Sequence, residues 1–242
     1  MRYRLMIGGM LAALFLLLMN LGAGAVETAS MRENETNVDK NQETRDADKN
    51  QAETTVPYEG KIALTFDDGP TPGFTEAILD ILLERDVRAT FFVLGKHVEA
   101  NPEIVRRIQT EGHLIGNHTY SHMELTDGNC DLFMDEVEQT NVVLEDVIGY
   151  RTAFVRPPFG CCTKRLQKEA SMITVLWTID SKDWCSTDAD AVTNRVVTKA
   201  EDGAIILMHD GYDCTVEAVV RIVDTLLAKG YDFVTVDEIL MN

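Results

Sequence analysis

The sequence predicts an α/β domain built on a parallel sheet, and two observations carry that reading. From Tyr58 onward, strand-like and helix-like runs alternate. The strand-like runs are mostly continuous apolar stretches, as strands covered on both faces require. A barrel and an open doubly wound sheet both satisfy this pattern. No Gly-rich phosphate loop follows the first strand, which counts against a nucleotide site.

The elements follow in order. Strands are predicted at Ile62–Phe66, Ala89–Leu94, Leu114–Gly116, Phe154–Arg156, Ile173–Thr178, Ala204–Met208 and Phe233–Val236. Between them, Phe74–Glu84, Glu103–Glu111, Asp131–Val147 and Val216–Ala228 carry apolar residues at three- and four-residue steps, the repeat of one helix face. Asp188–Ala200 shows the same pattern less regularly.

Before this domain, residues 1–25 read as an export signal. Arg2 and Arg4 precede an apolar run to about Leu21, and Ala23-Gly24-Ala25 supplies the small residues of a cleavage site. The run is also nearly long enough to remain as an uncleaved membrane anchor. Residues 26–57 contain no aromatic residue and mix eight acids with four bases, so they read as a disordered acidic linker. Residues 58–242 form the single folded domain. The chain carries 40 acidic and 22 basic residues, a net charge of -18, which opposes nucleic-acid binding. Cys130, Cys161, Cys162, Cys185 and Cys214 match no zinc spacing, and their odd number leaves at least one thiol free or paired between chains.

Polar groups cluster where the predicted strands end, the face on which barrels do chemistry. Asp67-Asp68-Gly69-Pro70 closes strand one. Two adjacent carboxylates repel and need a cation or solvent; an exposed turn alone would explain this string equally well. His118 and His122 follow strand three, at a spacing that puts both imidazoles on one face of a helical turn. Two His and a carboxylate are a catalytic metal set with open positions. Arg156 ends strand four before Pro157-Pro158-Phe159-Gly160, a rigid loop able to orient a carboxylate and aim a main-chain N–H at an oxyanion. Asp183-Trp184 follows strand five, and His209 follows strand six, where imidazole suits acid–base work. Each has a bland alternative: surface histidines, a structural salt bridge, a capping aromatic. Five strand ends together are poorly explained by chance.

The strings T-F-D-D-G-P, H-T-Y-S-H, R-P-P-F-G, D-S-K-D-W and L-M-H, in this order, resemble the five motifs of the polysaccharide deacetylases related to rhizobial chitooligosaccharide deacetylase, carbohydrate esterase family four. The resemblance covers about Lys61 to Leu240. It implies a distorted barrel of seven βα units, (β/α)7, as one catalytic domain. It also implies a divalent metal, usually zinc with cobalt as the alternative, on Asp68, His118 and His122. Asp67 would be the general base, oriented by Arg156, and His209 the general acid, kept cationic by Asp183. Leu207 and Trp184 would shape the acetyl pocket beside the Phe159 main chain. Because adjacent strand residues face opposite sides, the chain must turn at Asp68-Gly69 for both acids to reach one site.

The implied activity is removal of the N-acetyl group from N-acetylglucosamine in a polysaccharide. Peptidoglycan is the first expectation, with chitooligosaccharides and O-acetylated xylan as alternatives. A non-catalytic glycan-binding homologue is the reading from another class, and no ligand or base of the set is missing to favour it. The implied partner is the N-acetylated polysaccharide, met outside the cytoplasm by a monomer that touches a membrane only through an uncleaved N-terminus. A Cys161–Cys185 or Cys162–Cys185 bridge at the rim of the site is a further expectation.

Overall fold

The computed structural model describes residues 60–161 and 171–241. The predicted export signal, the linker and Cys162 lie outside the described residues. Eight strands form one sheet: β1 (Gly60–Asp67), β2 (Thr90–Val93), β3 (Leu114–Asn117), β4 (Phe154–Val155), β5 (Ile173–Thr174), β6 (Ile179–Asp180), β7 (Ala204–His209) and β8 (Tyr231–Phe233). Their order is β5-β4-β3-β2-β1-β7-β6, with β8 paired to β1. All pairings are parallel. The helices are α1 (Phe74–Glu84), α2 (Gly95–Ala100), α3 (Pro102–Thr110), α4 (Cys130–Ile148), α5 (Ala189–Val197), α6 (Asp213–Ala228) and α7 (Val236–Leu240). No described helix is long and apolar enough to cross a membrane.

The strand order dictates curvature. β5 and β6 end the order on opposite sides, yet only residues 175–178 join them. Five Cα steps reach at most about 18 Å, whereas seven flat strands would hold the ends about 29 Å apart. The sheet must therefore curl, as a barrel of βα units does, so the α/β barrel class holds.

Two predicted elements need correction, and one helix is added. Ile173–Thr178 is not one strand, because the carbonyls of Val175 and Leu176 accept hydrogen bonds from the Arg156 guanidinium (3.2 and 3.3 Å) instead of continuing the ladder. The chain resumes as β6 on the far side of the sheet, giving eight strands in place of seven. Val236 belongs to α7, which starts there because Thr235 and Glu238 cap it reciprocally. Helix α2 lies in a stretch for which no helix is predicted.

Strand parity sets up the site. Alternate residues of a strand face opposite sides. Ile62, Leu64 and Phe66 pack into the large core that includes the helices' apolar residues, while Ala63 joins Phe92, Phe154 and Ile205 in the smaller core inside the barrel. Continuing the inward parity leads from Ala63 to Asp67, from Phe154 to Arg156 and from Ile205 to His209. On β3, Ile115 belongs to the outer core and Leu114 packs on the inner one, so the inward series 114, 116 leads to His118.

Candidate active site

At the carboxyl end of the sheet a cleft of about 480 Å³ opens between the loops that follow β1, β3, β4, β6 and β7. Eight of the ten sequence-predicted residues line it; Arg156 and Asp183 lie behind its wall, each fully buried. Asp67 and His209 are register partners on β1 and β7. Trp177, Asp180, Lys182 and Tyr212 also line the cleft; Asp180 and Lys182 belong to the D-S-K-D-W string without an assigned role, and no sequence signal singles out Trp177 or Tyr212.

Asp67 is buried, and its Oδ1 accepts a hydrogen bond from Arg156 Nη1 at 2.7 Å. The same nitrogen donates to Thr65 Oγ1 at 2.7 Å, and the guanidinium lies 4.1 Å from the centre of the Phe92 ring. Every polar edge of Arg156 is thus engaged, which fixes the carboxylate plane of Asp67. Deleting one partner of such a buried pair leaves an uncompensated charge, at a cost of about 3–5 kcal/mol.

Asp68 has the wrong parity, and a backbone φ of 75° turns it back into the cleft. Thr119, His122, Phe159 and Lys182 also have positive φ, so backbone conformations unusual for non-glycine residues concentrate in these loops. Gly69 follows for a different reason. A Cβ at that position would fall 2.0 Å from Oδ2 of the buried Asp210, so only glycine fits.

The His118–His122 segment is not the helical turn its spacing suggests. Asn117 Oδ1 accepts from Thr119 N, and Thr119 Oγ1 from His122 N, while positive φ at Thr119 and His122 folds the chain tightly. The two rings still converge, with centroids 5.1 Å apart.

His118 Nδ1 faces the Arg156 carbonyl at 2.6 Å. A carbonyl only accepts, so Nδ1 carries the proton and the neutral ring presents a lone pair at Nε2. That lone pair points to Asp68 Oδ1 at 3.4 Å, and His122 Nε2 stands 3.3 Å from the same oxygen. Asp68 Oδ1 is buried and has no hydrogen-bond partner. Three facing donor atoms within 4.8 Å of one another could hold a cation among them. A tetrahedral centre with bonds of about 2.0–2.1 Å has ligand-to-ligand separations of about 3.3–3.4 Å, so the residues fit a metal. Burial raises the Asp68 pKa, but positive charge on His118, His122 and His209 lowers it to about 2, and a cation held by the three donors would carry charge of the same sign. It is therefore ionised and ready to ligate.

Across the cleft, His209 Nδ1 pairs with Asp183 Oδ1 at 2.9 Å. Asp183 also accepts from Trp184 N (2.9 Å), His209 N (2.7 Å) and Thr215 Oγ1 (2.7 Å). Burial alone would lower the His209 pKa, yet the bond and charge of Asp183 raise it to about 9. The Asp183 carboxyl, which burial would raise, is lowered by the same partner. The imidazolium is thus the resting form at neutral pH.

The rim is aromatic and open. Phe159 is 65% exposed and packs edge-on to His122, and Trp184 is 49% exposed. Leu207 is buried. Cys161 and Cys185 are both free thiols, so the expected Cys161–Cys185 bridge is not formed; the alternative with Cys162 falls outside the described residues.

The chain is similar in sequence and fold to known proteins. A sequence model of the polysaccharide deacetylases matches residues 55–175. A peptidoglycan-N-acetylglucosamine deacetylase of Bacillus cereus is 42% identical over 187 residues, covering 74% of this chain and 68% of that protein. The chain belongs to the polysaccharide deacetylase family. Among solved polysaccharide deacetylases, Bacillus subtilis PdaC superposes with a TM-score of 0.73 at 38% identity, covering 76% of this chain and 91% of that one. A family 4 acetyl xylan esterase from Clostridium thermocellum, solved with a cobalt ion, gives 0.71 at 35% identity, covering 74% and 90%. The chain spans 38% of the length of a Listeria monocytogenes peptidoglycan-N-acetylglucosamine deacetylase that it matches at 39% identity. Family membership makes this a polysaccharide deacetylase domain, and Asp68, His118 and His122 are the metal-site candidates among the described residues.

Proposed function

We propose that this chain is a metal-dependent N-deacetylase that releases acetate from N-acetylglucosamine residues of peptidoglycan, working outside the cytoplasm as a monomer. The observation that supports it most is the orphaned, ionised Asp68 oxygen facing two imidazole nitrogens, beside an Asp67 locked by Arg156 and opposite a cationic His209. The names of the relatives support the substrate. The near-tetrahedral spacing favours zinc, and the cobalt-bound neighbour makes cobalt the alternative.

In this reading Asp68, His118 and His122 hold the divalent ion. When bound, the ion lowers the pKa of a water and polarises the acetyl carbonyl. Asp67 accepts the proton lost by the attacking water, and Arg156 holds Oδ1 so that Oδ2 faces the reacting atoms. Pro157 and Pro158 have no N–H, so Phe159 provides the first main-chain donor of its loop for the developing oxyanion. His209 delivers its proton from Nε2 to the departing nitrogen as the C–N bond breaks, leaving acetate and a free amine. Asp183 keeps that proton in place until the transition state. Leu207 floors the acetyl pocket and Trp184 walls it.

The test is acetate release from peptidoglycan, chitooligosaccharides and acetylxylan, each with and without chelator. We expect peptidoglycan turnover that chelator stops and zinc or cobalt restores. Turnover unaffected by complete metal removal would sink the metal reading; glycan binding without acetate release from any substrate would make the chain a binding homologue.

A further inference from the structure

Neither ligand-bearing loop is held by its own motif alone. Helix α2, with the preceding Leu94, reaches both. The first N–H groups of a helix lack intrahelical partners, and here they are spent on these loops. Leu94 N–H donates to the Gly69 carbonyl at 2.9 Å, on the Asp68 side. Gly95 N–H donates to the Thr119 carbonyl at 3.0 Å and Lys96 N–H to the Tyr120 carbonyl at 3.1 Å, between His118 and His122. A side chain at position 95 would place its Cβ 2.5 Å from the Tyr120 ring, so glycine permits this approach.

The fourth contact comes from a side chain. His97 Nδ1 lies 2.8 Å from the main-chain carbonyl of Asp68 itself. The carbonyl has no proton to give, so Nδ1 carries it and donates. Asp68 is the residue whose left-handed backbone brings its carboxylate into the cleft. The imidazole therefore grips the peptide unit that sets the direction of the carboxylate.

Resting on the reading that Asp68, His118 and His122 hold a metal, we infer that Leu94-Gly95-Lys96-His97 is a bracket that fixes the spacing between the two ligand loops, with His97 as a positioning residue for the metal. His97 touches neither the proposed ion nor the reacting atoms. It acts through the Asp68 backbone, and the ligands meet the ion already arranged.

The test compares the full chain with His97→Leu and His97→Asn. The Asn Nδ2 amide occupies the place of the imidazole Nδ1 and can donate to the same carbonyl; Leu fills similar volume without a donor. Zinc affinity is read by competition with a chromophoric chelator, alongside the melting temperature of the metal-free protein and, with zinc saturating, kcat and KM. We expect H97L to lose about tenfold in zinc affinity, the scale of one hydrogen bond. H97N should stay within about twofold, and KM should be unchanged in both. Wild-type affinity in H97L, or an H97N as weak as H97L, overturns the inference. A wild-type chain that binds no zinc overturns the metal reading itself, a distinct result from zinc binding that ignores position 97.

Discussion

Two histidines, His113 buried and His209 partly buried, sit at opposite ends of the sheet and are tuned in opposite directions. His209 ends β7 on the cleft side, and its pKa is raised to about 9. His113 precedes β3 at the other end, and burial, with Arg107 and Arg88 nearby, lowers its pKa to about 4. Burial acts the same way on both; their acidic neighbours differ. Among the described residues Asp183 has no competing cation, and it directs Oδ1 at the His209 ring. Glu111 is committed to Arg107 at 2.6 Å, and its Oε2 stands 3.8 Å from His113 Nε2, too far for a hydrogen bond. His113 Nδ1 accepts from Ala89 N–H, which fixes the neutral form. The imidazole becomes a proton donor for chemistry where a carboxylate not already paired with a cation reaches it within hydrogen-bond distance.

The largest test of this contrast is activity. His209→Ala removes the proposed general acid, and we expect kcat to fall by about 10²–10⁴-fold with zinc still bound. His113→Gln, at the far end, should leave kcat within about twofold. A fully active H209A, or an inactive but folded and metal-loaded H113Q, would break the comparison.

A smaller effect isolates the carboxylate. Asp183→Asn keeps the shape but removes the charge that raises His209. The acid must be protonated to work, so activity is lost as pH rises through its pKa. In D183N the alkaline limb of the kcat/KM profile should move down by about 1–2 units. If it stays where the wild type has it, another group sets that limb.

Much of this was legible beforehand. The alternation of apolar runs located the strands, and counting by twos along them already puts Asp67, His118, Arg156 and His209 on one inward series. What parity cannot give is the return of Asp68, which depends on a left-handed backbone at a non-glycine residue. Nor can it give the fold of His118–His122, where spacing suggests a helix but side-chain bonds from Asn117 and Thr119 win locally. The break in Ile173–Thr178 has the same origin in a long-range demand, since Arg156 claims carbonyls that a strand would have used. His97 leaves no residue pattern because its partner is the Asp68 main chain, and Asp210 leaves none because it packs against Gly69 and accepts from the distant Thr75 Oγ1.

The smallest effect is on stability, and its sign separates the two histidines. For His209 the folded pKa is above the unfolded value of about 6.5. Its contribution is complete below that value and is lost as pH rises through about 9. For His113 the folded pKa is below the unfolded one, so its burden grows as pH falls from about 6.5 towards about 4. Each contribution is on the order of 3 kcal/mol at most, and residual solvation will reduce it. In the metal-free protein, the stability difference between wild type and His209→Gln should therefore shrink from pH 6 to pH 10 (approximate limits set by the linkage window). Against His113→Gln, wild type should instead lose ground from about pH 7 down to about pH 4. Denaturant melts of the three proteins across this range check both slopes. Slopes of the same sign would mean that burial, rather than the free carboxylate, governs both rings.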